Sequence, residues 1–134
     1  MSALPHPIVR SLIACEEIRP DRSNPRRINL YRIVNSVRAV GDPPYPAVRK
    51  QFAVFAVVTN GRGRGKLWLE IRHADTDAII YHTPKQAIAF PANPLKLNGI
   101  SFQMRNLIIP EPGLHWVRLW FEDAIIGDLP INVK

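Results

Sequence analysis

Residues 112–133 constrain the fold more than any other stretch, because their apolar side chains alternate with a period of two. One parity consists of Val117, Leu119 and Phe121, and the other of Trp116, Arg118 and Trp120. A period of two is typical of a β-strand with one buried face, whereas a helix repeats every 3.6 residues. The segment therefore predicts a closing β-hairpin whose outer face carries two tryptophans around an arginine.

Other short apolar runs recur along the chain, with turn residues between them. The runs with the length of a strand are residues 11–18, 28–33, 51–59, 67–71, 78–83 and 100–109. This spacing is typical of an all-β sandwich. We expect an immunoglobulin-like antiparallel β-sandwich of about seven or eight strands, with residues 51–59 deepest in the core and a helical turn as an alternative at Val34–Ala39.

Length and composition favour a single domain spanning residues 1–134, because a chain of this size buries about two-thirds of its unfolded surface. The 46% of hydrophobic and 22% of charged residues argue against wholesale disorder. No apolar run approaches the ~18 residues of a membrane span, and the first residues lack a secretory pattern. A lone Cys15 cannot form an internal disulfide, so we expect a cytoplasmic protein without membrane association.

A formal charge of +7 and a pI near 10.2 favour an anionic partner. The cations concentrate in two loops, which contain Arg22, Arg26 and Arg27 in the first and Arg62, Arg64 and Lys66 in the second. If the two loops converge, they form a site for nucleic acid or another polyanion, since phosphates release counterions when they bind Lys and Arg. No nucleic-acid-binding motif accompanies them, and solvated loop arginines are the alternative interpretation.

The glycine-rich loop Gly61–Lys66 offers backbone amides and cations, which are the groups that bind phosphate. A P-loop requires Ser or Thr after its lysine and then a helix, but Leu67 stands at that position and a strand follows. A flexible connection between two strands is therefore the favoured interpretation.

Histidine, aspartate and cysteine give weaker patterns. His73, Asp75 and Asp77 alternate as metal ligands on a strand would, although aspartates also favour turns. Cys15 paired with one of the histidines at positions 73, 82 or 115 would make a nucleophile, and an inert packed thiol is the alternative. We expect no catalytic residues, no metal and no cofactor, and a small hydrolase or metal enzyme is the least favoured function.

The tryptophan face gives the sharpest functional hypothesis. Trp116 and Trp120 lie about 13 Å apart on one face of a strand, and Trp68 has the same outward parity in another strand. Such a face stacks sugars or unpaired bases, packs against another subunit, or is covered by a loop or by the N terminus. We interpret Trp68, Trp116, Arg118 and Trp120 as the contact group of a non-enzymatic binding or assembly module, whose partner is a second copy or another protein.

Several short motifs follow one another in a characteristic order. They are residues 12–19 (LIACEEIR), 30–34 (LYRIV), 45–47 (YPA), 112–113 (PG) and 126–133 (IGDLPINV). In these motifs the chain resembles a family of small uncharacterised bacterial β-sandwich proteins. It differs at His115, where tyrosine is usual, and at Glu122–Asp123, where Asp-Gly is usual. The resemblance implies a β-sandwich over most of the chain and assigns no activity and no functional residue.

Overall fold

The computed structural model describes residues 6–134, which form ten strands and contain no helix. The strands are β1 (Ile8–Pro20), β2 (Ile28–Ile33), β3 (Ser36–Val37), β4 (Ala47–Thr59), β5 (Arg64–His73), β6 (Ile79–His82), β7 (Gln86–Ala89), β8 (Asn98–Ile109), β9 (Gly113–Phe121) and β10 (Ala124–Val133). Within this part of the chain, no helix is long and apolar enough to cross a membrane.

The strands form two sheets. The first sheet has the order β2-β1-β4-β8, and the second has the order β3-β10-β9-β5-β6, with β7 pairing β5 beside β6. All strand pairs are antiparallel except β3 with β10, which is parallel. The predicted β-sandwich is therefore confirmed, and β9 and β10 form the predicted closing hairpin.

The main core lies between the sheets, as the alternation of apolar residues predicts. On β4 and β9 the inward side chains are almost fully buried, and they include Val54, Ala56, Val58, Val117, Leu119 and Phe121. A second, smaller cluster consists of Cys15, Ile18 and Ala53, with Leu30 and Phe55 packed against it. β4 is the central strand that contributes to both clusters, which explains its nearly continuous apolar sequence.

Two short strands were not predicted. Residues 34–39 contain β3 instead of a helical turn, because Ser36 and Val37 pair with the end of β10. The proline-punctuated segment that follows β6 contains β7, which extends the second sheet along the first half of β5. These additions raise the number of strands from the expected seven or eight to ten, and neither changes the sandwich.

Candidate functional site

The two strands that carry the tryptophans are neighbours at the centre of the second sheet. In the register of β5 and β9, Trp68 lies opposite Trp120, Glu70 opposite Arg118, and Arg72 opposite Trp116. Directly opposite residues share a face of the sheet, so all six side chains lie on the outer face. The structure thus brings the four predicted contact residues together, and we call this surface the aromatic face.

Trp68 and Trp120 form a parallel stack across the two strands. Their ring centroids are 5.7 Å apart, and the angle between the ring planes is 5°. The Nζ atom of Lys85, from the connection between β6 and β7, lies 4.5 Å from the centroid of the Trp68 ring. Aromatic pairs of this kind contribute about 0.5–1.5 kcal/mol beyond burial, and a cation over indole adds to that. The aromatic face therefore has a preformed platform with a cation at one end.

The charged residues of the aromatic face differ in their pairing. Arg72 donates from Nε to Oε1 of buried Glu70 at 2.9 Å and forms an ion pair with Asp77 at 3.0 Å, and these two partners raise the pKa of Arg72. Arg118 lies between Glu70 on β5 and Asp128 on β10. Within residues 6–134 Arg118 forms no ion pair within 4.0 Å. Its guanidinium is therefore available to a partner.

Two exposed isoleucines extend the aromatic face at its sides. Ile125 on β10 lies opposite Trp120 and is 44% exposed, and Ile79 on β6 lies opposite Arg72 and is 50% exposed. The Nε1 atom of Trp120 is buried and has no hydrogen-bond partner in the described part of the chain. Ile79, Ile125 and Lys85 are members of this face that the sequence pattern did not indicate. The register of the hairpin alone would have indicated Ile125, whereas the other two depend on how β6 and β7 dock on β5.

The structure does not bring the two predicted basic loops together. The turn with Arg22, Arg26 and Arg27 follows β1, whereas the loop with Arg62, Arg64 and Lys66 leads from β4 into β5. Ile8, at the start of β1, pairs with Thr59, at the end of β4, so the second loop lies beside the start of β1. β1 has 13 residues and is about 40 Å long, which places the two groups at opposite ends of the sandwich.

The glycines of the second loop have packing roles. A Cβ atom on Gly61 would lie 2.3 Å from the Phe90 ring, and one on Gly65 would lie 2.3 Å from the Phe121 ring. Gly63 has a φ of +69°, in the left-handed region that favours glycine. Close ring contacts and turn geometry account for all three glycines without a bound phosphate.

The alternating residues His73, Asp75 and Asp77 have separate structural partners, as a turn would give, and do not form a metal site. His73 is buried, donates from Nε2 to the Pro112 carbonyl oxygen at 2.9 Å, and accepts at Nδ1 from the amides of Asp75 and Thr76. Asp77 instead pairs with Arg72. No group of three potential metal-ligating side chains occurs in residues 6–134.

A second buried histidine contacts the first. The His115 ring meets the His73 ring edge to face at 4.8 Å, and its Nδ1 donates to the Gly113 carbonyl oxygen at 3.0 Å. Its Nε2 is buried without a partner in the described chain, and burial lowers the pKa of His115. Cys15 is buried in the first sheet, away from these histidines of the second, and burial raises the pKa of its thiol. Cys15 therefore does not pair with these two histidines, and the structure agrees with a packed thiol.

Comparison with known proteins agrees with a family without an assigned activity. Residues 11–134 match the model of DUF6941, a family of unknown function. The chain belongs to this family. No curated protein matches this DUF6941 member. A β-glucosidase from Listeria innocua resembles it in structure, with a TM-score of 0.45 and 12% sequence identity over 75% of this chain and 14% of the enzyme chain.

Proposed function

We propose that this chain is a cytoplasmic, non-enzymatic assembly module that binds a second copy of itself through the aromatic face. The observation that carries the proposal is the preformed Trp68–Trp120 stack, which remains partly exposed beside the unpaired Arg118. Tryptophan and arginine are enriched at the centres of protein interfaces, because they bury a large area with few rotatable bonds or donate several hydrogen bonds.

The charges of the aromatic face favour a second copy as its partner. The face carries three cations, Arg72, Lys85 and Arg118, and three carboxylates, Glu70, Asp77 and Asp128. Two copies of such a balanced surface do not repel each other at the contact itself, although each whole chain carries a net charge of +7. A twofold contact between identical surfaces is also the commonest form of homo-oligomer.

The size of the aromatic face is compatible with a dimer. Four strands about 4.8 Å apart and nine residues about 3.3 Å apart span roughly 600 Å² in projection. A standard interface buries about 800 Å² of accessible surface per partner, which is larger than the projected area of the same patch because side chains protrude. The two exposed isoleucines supply apolar area at the sides of this surface.

Analytical ultracentrifugation of the purified chain tests the proposal. We expect a mass of twice 15.2 kDa, and we expect Arg118→Glu to weaken the dimer at least about tenfold, which corresponds to 1.4 kcal/mol. Arg10→Glu reverses an exposed charge on the first sheet and is the matched control, which should remain dimeric. A wild-type chain that is monomeric at every concentration, or equal weakening by both variants, would contradict the proposal.

A second candidate function, polyanion binding, is favoured by the charge distribution of the first sheet. Its four strands and the turn 21–27 carry nine of the 18 Lys and Arg residues but three of the 11 Asp and Glu residues. Fluorescence anisotropy with single- and double-stranded oligonucleotides at two salt concentrations tests this candidate. Because the basic loops lie at opposite ends, Arg26→Gln/Arg27→Gln and Arg62→Gln/Arg64→Gln should differ in effect, and absence of binding at low salt would exclude it.

A further inference from the structure

The first sheet splits where β1 and β4 diverge. The β1–β4 ladder ends at the pair Cys15 and Ala53, although β1 continues to Pro20 beside β2, and β4 begins at Ala47 beside β8. Residues 16–20 and 47–52 therefore face each other without ladder hydrogen bonds. We call the resulting opening the fork cleft.

The fork cleft has a volume of about 630 Å³, within the range of about 300–1,000 Å³ that is typical of small-molecule sites. Its lining residues are Glu16, Val48, Arg49, Lys50, Gln51, Arg105 and Asn106. Three of these side chains are cations and one is a carboxylate. The lining thus has an excess of positive charge, which attracts an anion.

Glu16, which lines the fork cleft, lies between Arg49 of the cleft and Arg32 on the neighbouring strand β2. Its Oε2 accepts from Nη1 of Arg32 at 3.1 Å, and its Oε1 accepts from Nη2 of Arg49 at 3.4 Å. The Nε atom of Arg49 is buried and has no acceptor within residues 6–134. Lys50 and Arg105 form no ion pair in that part of the chain. Glu16 is therefore shared by two arginines, and Glu17, which lies near Arg105, is already paired with Arg19, so donors remain for a ligand.

The backbone beside the fork cleft is strained at two positions. Arg32 has a φ of 57° and lies between the two β2 residues that pair with Cys15 and Glu17, and Asn106 has a φ of 55° and lies between the two β8 residues that pair with Arg49 and Gln51. Left-handed backbone costs arginine about 1–2 kcal/mol and asparagine less, and such residues cluster at turns and at ligand-binding sites. Neither residue pairs in its own ladder, so the β1–β2 and β4–β8 ladders are each interrupted at one position beside the split.

We propose that the fork cleft binds a phosphoryl group of a small phosphorylated molecule. Tetrahedral phosphate oxygens match the combination of arginine forks and a lysine ammonium better than a single carboxylate does. The cleft accommodates a molecule of nucleotide size, with Val48 as an apolar contact beside the cations. This site differs from the aromatic face and from both basic loops, so it is independent of the assembly proposal.

Isothermal titration calorimetry at low salt tests the site with pyrophosphate and ADP as probes. A single-stranded oligonucleotide of 12 nucleotides is titrated separately to test for polyanion binding. We expect Lys50→Gln and Arg105→Gln each to weaken pyrophosphate binding at least about tenfold. Arg10→Gln removes a cation from the same sheet outside the cleft and is the matched control, with an expected change of less than about twofold. Both cleft variants change exposed residues, so circular dichroism should show an unchanged fold.

A substitution of Glu16 should change pyrophosphate affinity in the opposite direction from the substitutions of Lys50 and Arg105. Glu16→Gln removes the negative charge that competes for two arginines, so pyrophosphate should bind more tightly, whereas a purely structural role of Glu16 predicts weaker binding. The proposal is overturned if the wild-type chain binds neither pyrophosphate nor ADP. It is also overturned if the control weakens binding as much as the cleft variants do, or if the oligonucleotide alone binds.

Discussion

Gly65→Ala should destabilise the fold through one identifiable contact. The added Cβ would lie 2.3 Å from Cε2 and 2.4 Å from Cζ of Phe121, whereas carbon atoms in contact are about 3.5–4.0 Å apart. The Phe121 ring is fully buried and meets the Phe90 ring at 5.9 Å, so it cannot move away freely. The ring or the β5 backbone must therefore shift by more than about 1 Å.

The expected loss follows from two opposing effects. Overpacking of a core costs about 1–3 kcal/mol, and an overlap of this size belongs at the upper end of that range. Replacing glycine by alanine restricts the unfolded chain and returns about 0.4–1 kcal/mol. The net loss for Gly65→Ala is about 2 kcal/mol in the free energy of unfolding, which corresponds to a Tm lower by about 6–10 °C for a domain of this size.

Gly63→Ala is the matched control, because a Cβ atom at this position meets nothing within 4 Å. Its cost comes from the left-handed backbone alone and is about 1 kcal/mol. Phe121→Leu shortens the ring that Gly65→Ala would meet, so the double variant should lose at least about 1 kcal/mol less than the sum of the single variants. Urea denaturation of the four variants measures these differences. Equal losses at the two glycines, or additive losses at Gly65 and Phe121, would refute the packing explanation.

Two further predictions concern buried polar groups. Burial lowers the pKa of His115, so the unfolded chain binds a proton at this histidine more readily than the folded chain does. The free energy of unfolding should therefore fall as the pH decreases below about 6.5, by up to ~1.4 kcal/mol per pH unit. His115→Phe should reduce this dependence of stability on pH, whereas His82→Gln, at an exposed position, should leave it unchanged. Urea denaturation at several pH values measures both. An unchanged pH dependence in His115→Phe would contradict the role given to His115. The Thr83 hydroxyl accepts from the Leu69 amide at 2.8 Å in a buried position, so Thr83→Val should cost about 1–3 kcal/mol and Thr83→Ser much less. Faster hydrogen exchange of the Leu69 amide in the valine variant alone checks this, and equal exchange in both variants would count against it.

Side-chain alternation allowed the sandwich and one face of the candidate site to be predicted. Leu67 and Phe121 are opposite each other and fully buried, and Trp68 and Trp120 are opposite each other on the outer face. Both facts follow from a period of two together with the pairing of β9, the first strand of the closing hairpin, with β5. The family without an established activity was also anticipated from the order of the motifs and is confirmed.

Pairing between distant segments could not be predicted from local patterns. β3 has two residues and pairs with β10, which lies almost 100 positions later in the chain. The fork cleft combines Glu16, Arg49 and Arg105 from three strands, and it depends on where one ladder ends. The alternation of side chains within one strand does not indicate where that strand stops pairing with a neighbour, so the fork cleft could not be predicted from the sequence.

The two surfaces should respond to salt in opposite ways, because they differ in charge. Contacts through the aromatic face depend on apolar burial and on balanced charges, and added salt screens the repulsion between two chains of charge +7. Phosphate in the fork cleft is held by Arg49, Lys50 and Arg105, whose attraction the same salt screens. A titration with NaCl should therefore preserve or strengthen the dimer while it weakens pyrophosphate binding. Parallel loss of both would mean that one cationic surface serves both contacts.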